Sequence, residues 1–451
     1  MVAPERDTIT AIASPPGRGG IGIVRISGPL ARAIADNIVR RPLSPRVATY
    51  ARFVGTGGET LDQGIALLYE APHSYTGEDV LELHAHGSPV ALDLLLQKVT
   101  SLGARLARSG EFSERAFLNG KLDLTQAEAI ADLIDSATAE AARAALRSLE
   151  GEFSARVREI LEQLVAVRAH LEGTLDFPEE EIDGVDTARL GEQLEGALRA
   201  TASLITQATL GRMLTDGVRV AIAGPPNVGK SSLLNRLARE DCAIVTAVAG
   251  TTRDAIHVEI SLGGLPFHFT DTAGLRATSD PVESEGIRRT RAAVAQADHV
   301  LFVIDASDPG ARDPGDEIEA LPAGARLTWV HNKIDLIGVE PATRADPGGN
   351  AVYLSAKTGA GVALLEQYLK NCVGYHEAPA GAFSARKRHV DALRRVQACV
   401  REAQEAFLAA RGPELVAEHL RLAQQALSEI TGDFTGEDLL GEIFSTFCVG
   451  K

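Results

Sequence analysis

Gly224-Pro225-Pro226-Asn227-Val228-Gly229-Lys230-Ser231 decides the fold. It follows the apolar run Val218-Arg219-Val220-Ala221-Ile222-Ala223 and continues into Ser232-Leu233-Leu234-Asn235-Arg236-Leu237. The order is strand, glycine-rich turn, helix. Glycines at 224 and 229 let successive backbone N–H groups converge on phosphate oxygens at a helix N-terminus. Asn227, Val228, Gly229, Lys230, Ser231 and Ser232 are therefore the expected phosphate-binding set. Lys230 can reach the β and γ phosphates, and the Ser231 hydroxyl is the expected Mg²⁺ ligand. A glycine-rich loop that merely turns would not need that lysine and serine.

Three further stretches follow in register: Asp271-Thr272-Ala273-Gly274, Asn332-Lys333-Ile334-Asp335 and Ser355-Ala356-Lys357. Each handles a different part of one ligand, so together they predict a guanine-nucleotide site. Asp271 closes the apolar run Leu265-Pro266-Phe267-His268-Phe269-Thr270 and would support Mg²⁺, with the Gly274 N–H facing the γ-phosphate. A carboxylate at 335 accepts hydrogen bonds from N1–H and the exocyclic amine of guanine, a donor pair that adenine lacks. The Ala356 N–H is expected on the guanine carbonyl.

Leu275 stands where many small GTPases carry a glutamine that orients the attacking water. Leucine has no polar group for that task. Asn227 and the segment 243–254, rich in carbonyls and hydroxyls, could instead hold a monovalent cation beside the phosphates. Thr252 is a plausible second Mg²⁺ ligand. Asn227 also has a plainer reading as a turn-stabilising residue.

At 451 residues the chain exceeds what one core serves, and two or three domains are expected. Its 45% hydrophobic and 24% charged content is that of an ordinary globular protein. No apolar run approaches membrane-spanning length, and the opening Met1–Asp7 carries no export signal. Cys242, Cys372, Cys399 and Cys448 have neither metal spacing nor disulfide density, so a reducing cytoplasm is the expectation. A net charge of −16, from 45 basic and 61 acidic residues, excludes broad autonomous nucleic-acid binding. The local clusters Arg40-Arg41 with Arg46, and Arg386-Lys387-Arg388-His389, read as solvated helix or loop ends.

Along the chain, residues 1–120 read as an α+β unit, with strands at 8–14, 21–27, 63–69 and 80–86 and helices at 89–99 and 113–118. From about Leu124 the texture turns to Ala, Glu, Leu and Arg. Val157, Leu161, Leu164, Arg168 and Leu171 recur at helical spacing, as do Val390, Leu393, Val396 and Val400, and then Val416, Leu420, Ala423, Leu427 and Ile430. The expected architecture is multidomain α/β plus α, with a Ras-like P-loop GTPase at 216–380 inserted between two helical parts, 121–215 and 381–451.

The nucleotide motifs and both chain ends resemble the tRNA modification GTPase MnmE (TrmE) family. Pro15-Pro16-Gly17-Arg18-Gly19-Gly20 with Arg25-Ile26-Ser27-Gly28 resembles its opening. So do Thr76-Gly77-Glu78-Asp79-Val80-Leu81-Glu82-Leu83 and the stretch from Gly110 to Leu124. Phe447-Cys448-Val449-Gly450-Lys451 is similar to its terminal signature. The resemblance covers essentially the whole chain. It implies a tetrahydrofolate one-carbon carrier in the N-terminal domain, held by Arg25, Glu82, Lys121 and Lys451, and a homodimer built through that domain. It implies a K⁺ site at Asn227, Thr246, Val248 and Thr251, hydrolysis activated by paired GTPase domains, and Glu283 as the water-positioning acid. It also implies an FAD-binding partner of the MnmG family, joined in a heterotetramer or larger complex. Together they would place a carboxymethylaminomethyl or aminomethyl group at C5 of the wobble uridine, position 34, of certain tRNAs. Cys448 becomes a candidate active-site thiol. His84-Ala85-His86-Gly87-Ser88 departs from the family's usual Gly-Gly after the histidine, and both histidines read as strand residues.

Two other readings share the nucleotide motifs. A GTP-switched ribosome-assembly factor would need a basic RNA-binding appendage. A free-standing folate enzyme would leave the turnover residues Lys230, Ser231 and Asp271 without purpose.

Overall fold

The computed structural model describes residues 7–176, 187–240, 257–271, 297–308, 326–346, 349–375, 381–433 and 437–450. By contact the chain divides into two compact units: Met1–Ala131 with Ser154–Leu194 and Ala398–Lys451, and Asp132–Phe153 with Glu195–Gln397.

In the first unit, β1 (Ile9–Ile12), β2 (Gly19–Ser27), β3 (Thr49–Val54), β4 (Thr60–Tyr69), β5 (Val80–Gly87) and β6 (Arg105–Leu106) form one sheet in the order β3-β4-β5-β2-β1-β6. All neighbours are antiparallel except β1 and β6. Period-two alternation divides its faces. Val24, Ile26, Leu81 and Leu83 point into a core made with Ile34 and Ile38 of α1 (Ala31–Val39) and Leu95 and Val99 of α2 (Pro89–Ser101). Ile23, Arg25, Glu82 and His84 alternate with these and stay partly exposed on the other face. The helix α3 (Glu111–Leu118) follows β6.

Each expected element of this region is present, with ends shifted by a few residues. β3 and β6 were not expected. In Thr-Tyr-Ala-Arg-Phe-Val only Ala51 and Phe53 are buried, so the alternation is too short to stand out from its flanks. β6 has only two residues and owes its existence to pairing with β1.

Helices α4 (Leu124–Asp135), α5 (Ala139–Leu149), α6 (Glu152–Asp176) and α7 (Thr187–Asp216) carry the alanine- and leucine-rich stretch. Val157, Leu164 and Leu171 are core residues as the spacing requires, joined by Ile160 and Val167. Leu161 and Arg168 stand at the edge of that stripe instead.

In the second unit, β7 (Val218–Ala223), β8 (His257–Leu262), β9 (Leu265–Asp271), β10 (His299–Asp305), β11 (Arg326–Asn332), β12 (Ala342–Asp346) and β13 (Gly349–Tyr353) form a sheet in the order β12-β13-β11-β10-β7-β9-β8. Its interior is parallel, and β8 and β12 add antiparallel edges. Val300 to Ile304 of β10 are continuously buried, as expected of a strand covered on both faces. Helices α8 (Lys230–Glu240) and α9 (Val362–Cys372) supply part of that cover. Sequence order reverses between β7 and β10. Such a switch point opens a crevice at the carboxyl ends of the strands, where ligands of open α/β sheets bind.

Helices α10 (Lys387–Leu408), α11 (Pro413–Thr431) and α12 (Glu437–Ser445) complete the chain. Both expected stripes of α10 and α11 are buried throughout. At the start of α10, Arg386 pairs with Asp132 at 2.8 Å, and the 2%-exposed His389 packs on the Phe153 ring with centroids 5.1 Å apart. This basic run is therefore partly an interior fitting rather than a solvated end. Among the described residues no helix is long and apolar enough to cross a membrane.

Candidate functional site

The turn after β7 is built as a phosphate cradle. Gly224 and Gly229 sit at φ +131° and +99°, and a Cβ at either would run into Val303 O or the Asn332 side-chain amide. Asn227 takes the left-handed φ of 62° that asparagine tolerates. α8 begins at Lys230, so its N-terminal end abuts the loop. The Lys230 ammonium, 7% exposed, donates to Gly224 O at 2.7 Å and Pro225 O at 2.8 Å, holding a positive charge against the loop.

Asn332 ends β11 and knits two loops together. Its Nδ2 donates to Val228 O at 2.7 Å, and its Oδ1 accepts from Ala356 N at 2.9 Å. The phosphate turn and the 355–357 loop thus share one buried side chain, a bridge that no motif spacing signals. Here the Ala356 N–H, expected on the guanine carbonyl, is engaged by Asn332. The Ser355 hydroxyl donates to Asp335 Oδ1 at 2.6 Å and accepts from Thr358 N at 3.2 Å, so it aims the carboxylate expected to read the base. Arg236 of α8 donates to Lys357 O at 2.7 Å, tying the same loop down. Lys333, at φ 66°, pairs with Asp305 at 2.6 Å. Burial works to raise the Asp305 carboxyl, yet hydrogen bonds from Lys333 and Ser307 outweigh it and hold the group below the usual range.

Ser231, Ser232, Val228 and Asn227 lie where the motif requires, and Asp271 is the last residue of β9. Thr246, Val248, Thr251, Thr252, Thr272, Ala273, Gly274, Leu275, Glu283 and Lys451 lie outside the described residues.

A second site is carried by the open face of the six-stranded sheet. Arg25 and Glu82 are direct cross-strand partners in the β2–β5 register, and their side chains pair at 2.9 Å. His84, two residues on and on the same face, meets the other Glu82 oxygen at 3.3 Å. The Arg25 guanidinium lies 5.4 Å from the Tyr75 ring centre and 5.8 Å from that of Phe112. Tyr75 is fixed by Ser113 at 2.8 Å, and burial pushes its hydroxyl up. Beside them opens a cleft of about 340 Å³ lined by Glu82, Tyr75, Tyr69, His73, Arg46 and Lys121, among others. That volume falls within the range of small-molecule sites. Lys121 donates to Pro72 O at 2.9 Å. Arg46, read from sequence as a solvated loop residue, is a wall of this cleft.

The chain terminus docks on the same unit. Val449 bridges Ser109 in antiparallel fashion, Gly110 N donates to Cys448 O at 3.3 Å, and Arg25 donates to Gly450 O at 3.4 Å. Phe444 and Phe447 anchor this segment in a cluster with Leu124, Ala127 and Ile443. The Cys448 side chain itself is exposed. His86 pairs with Asp62 at 2.8 Å, and among the described residues no group of three or more His, Cys, Asp or Glu could hold a metal.

Residues 8–121 match the family model described as GTP-binding protein TrmE N-terminus, and residues 124–448 match the MnmE helical domain. The tRNA modification GTPase MnmE of Methylococcus capsulatus is 53% identical over 453 aligned residues, covering 100% of each chain. The protein of the same description from Thiobacillus denitrificans is 54% identical, covering 99% of each. Among solved structures, the FeoB G-domain from Methanococcus jannaschii is 25% identical over 35% of this chain and 97% of its own, with a TM-score of 0.25.

Proposed function

This chain belongs to the tRNA modification GTPase MnmE family and is a GTPase of tRNA modification, and from that premise we propose the following assignment of parts. GTP binds across the carboxyl ends of β7, β10 and β11. Asn227, Val228, Gly229, Lys230, Ser231 and Ser232 hold its phosphates, while Asn332, Lys333, Asp335, Ser355, Ala356 and Lys357 hold its base. The observation that carries this is the single Asn332 side chain bonded to both the phosphate loop and the base loop. Its geometry makes one site of two distant stretches of sequence.

Ser231, Thr252 and Asp271 offer oxygen ligands, which suit the hard Mg²⁺ ion. Asn227, with Thr246, Val248 and Thr251, takes K⁺, which would neutralise charge developing in the transition state. Glu283 positions water in place of the glutamine that Leu275 replaces. Activation follows pairing of two GTPase domains in a homodimer. The functional segments are 1–120, 121–215, 216–380 and 381–451.

A cleft of about 340 Å³ lined by an acid, two cations and aromatic rings supports a tetrahydrofolate one-carbon carrier as its ligand. Its Glu82 carboxylate can accept from the amino-pyrimidine edge of a pterin, with Arg25, Lys121 and Lys451 as further contacts. Bound there, the carrier would supply the one-carbon unit. With an FAD-binding MnmG-family partner, and Cys448 as thiol, the product is a carboxymethylaminomethyl or aminomethyl group on the wobble uridine of certain tRNAs in the cytoplasm.

Two measurements test the assignment. Mass spectrometry of tRNA wobble uridines after deletion of the gene should show the modification gone, and an unchanged pattern rejects it. Exchange of K⁺ for Na⁺ should slow hydrolysis about ten-fold or more, and equal rates in the two salts remove Asn227 from a cation site.

A further inference from the structure

Two cations wall the cleft of the first unit, and neither has a carboxylate partner among the described residues. Lys121 donates to Pro72 O at 2.9 Å, and Arg46 donates to His73 O at 2.9 Å. These carbonyls steady the two side chains without neutralising them, and they belong to adjacent residues of the same loop. The cleft's acid, Glu82, is already engaged by Arg25 and His84. The Arg46/Lys121 end therefore presents uncompensated positive charge to whatever enters.

The backbone at Arg46 carries a second mark. Its φ is 60°, a left-handed conformation that costs a non-glycine residue on the order of 1 kcal/mol. The conformation is held by Arg46 N donating to Leu68 O at 2.8 Å, and glycine would satisfy it more cheaply. Beyond that single bond to His73 O, Arg46 is exposed and makes no ion pair among the described residues. A strained residue whose side chain faces a cleft is better explained by what the cleft holds than by the fold.

We propose that Arg46, together with Lys121, forms an anion subsite that binds the glutamyl carboxylates of the reduced folate whose pterin Glu82 receives. The proposal rests on the folate reading above and adds to it the recognition of the tail. Pre-anchoring by the two carbonyls lowers the ordering cost of catching a flexible anionic tail, which makes an otherwise solvent-exposed ion pair worth having.

The test is titration calorimetry on the full chain with tetrahydrofolate and with its diamide, in which both glutamyl carboxylates are capped and the shape is kept. In the wild type, capping should weaken binding about five-fold, and the preference for the acid should shrink as salt rises. In Arg46→Gln the preference for the acid should shrink to what Lys121 alone supplies. Arg46→Lys should keep most of the preference. Arg46→Gly removes the guanidinium and the backbone strain together. It should match Arg46→Gln in binding while melting no lower than the wild type, so a folding defect cannot mimic the result. Equal weakening of both ligands by Arg46→Gln, or weakening of neither, overturns the subsite. If tetrahydrofolate and its diamide both fail to bind the wild-type chain, the folate reading itself falls, and that outcome is distinct from a bound ligand indifferent to Arg46.

Discussion

At the scale of single residues, the loop proposed to read the base depends on hydroxyl and amide groups that no motif pattern weighs by geometry. Ser355 is completely buried, donates to Asp335 and accepts from Thr358 N. Ser355→Ala would leave one N–H without its acceptor and one carboxylate without its guide. A hydrogen bond of this sort is worth about 1 kcal/mol, so GDP affinity should fall roughly five-fold with the preference for guanine retained. Asp335→Asn alters the reader itself. An amide presents a donor where guanine's own donors need an acceptor, so the variant should lose guanine nucleotides and gain xanthine ones. Titration of both variants with GDP and XDP separates the two roles. Preserved GDP affinity in Ser355→Ala would show that the hydroxyl does not aim the carboxylate.

At the scale of elements, α3 shows how a short helix is fixed by charge. Glu111, 2% exposed, opens that helix. It accepts two bonds from Arg105 at 2.8 and 2.6 Å, one from Arg108 N at 2.8 Å, and one from Arg115 at 3.2 Å. Burial alone would raise its carboxyl, but these donors outweigh burial and hold it at about 2, below the ordinary 4.5. Because the folded value lies below the unfolded one, the network contributes fully above about pH 4.5. That contribution drains away as pH falls from about 4.5 toward 2. Glu111→Gln should therefore melt lower than the wild type at neutral pH and lose less on acidification through that window. Thermal melts across the range check this, and parallel pH slopes for the two proteins would remove Glu111 from the account.

Such a network was not legible in the sequence. Asp7, Glu78, Arg105, Glu111 and Arg115 are scattered over more than a hundred positions, and only the fold gathers them. Legible features were those with a local period or a fixed spacing. The strand before Gly224 reads as buried because Val220 to Ala223 are apolar without a break, and the stripes of α10 and α11 follow from helical repeats. β6 needed its partner, and although the exposure of Arg46 was legible, the cleft it walls has no one-dimensional signature.

At the scale of the whole molecule, the two candidate sites fall to different compact units. The nucleotide stretches from Gly224 to Lys357 belong to the second, and the cleft and docked terminus to the first. The terminus is held by Phe444 and Phe447 in their apolar cluster and by backbone bonds at Cys448, Val449 and Gly450. None of these restraints uses the Cys448 sulfur, which is exposed. Exchange of that sulfur for oxygen removes neither a core contact nor a restraint on the segment, and surface changes of this kind cost less than about 0.5 kcal/mol. Cys448→Ser should accordingly leave the melting temperature and the rate of GTP hydrolysis near wild-type values, within about two-fold. Wobble-uridine modification should be abolished, because serine is not ionised to an alkoxide where a cysteine can supply a thiolate. Hydrolysis rates on the purified variant, set beside nucleoside mass spectrometry from cells carrying it, make the comparison. A collapse of hydrolysis together with modification would mean that the thiol supports the fold. Modification at the normal level would strip it of any chemical part.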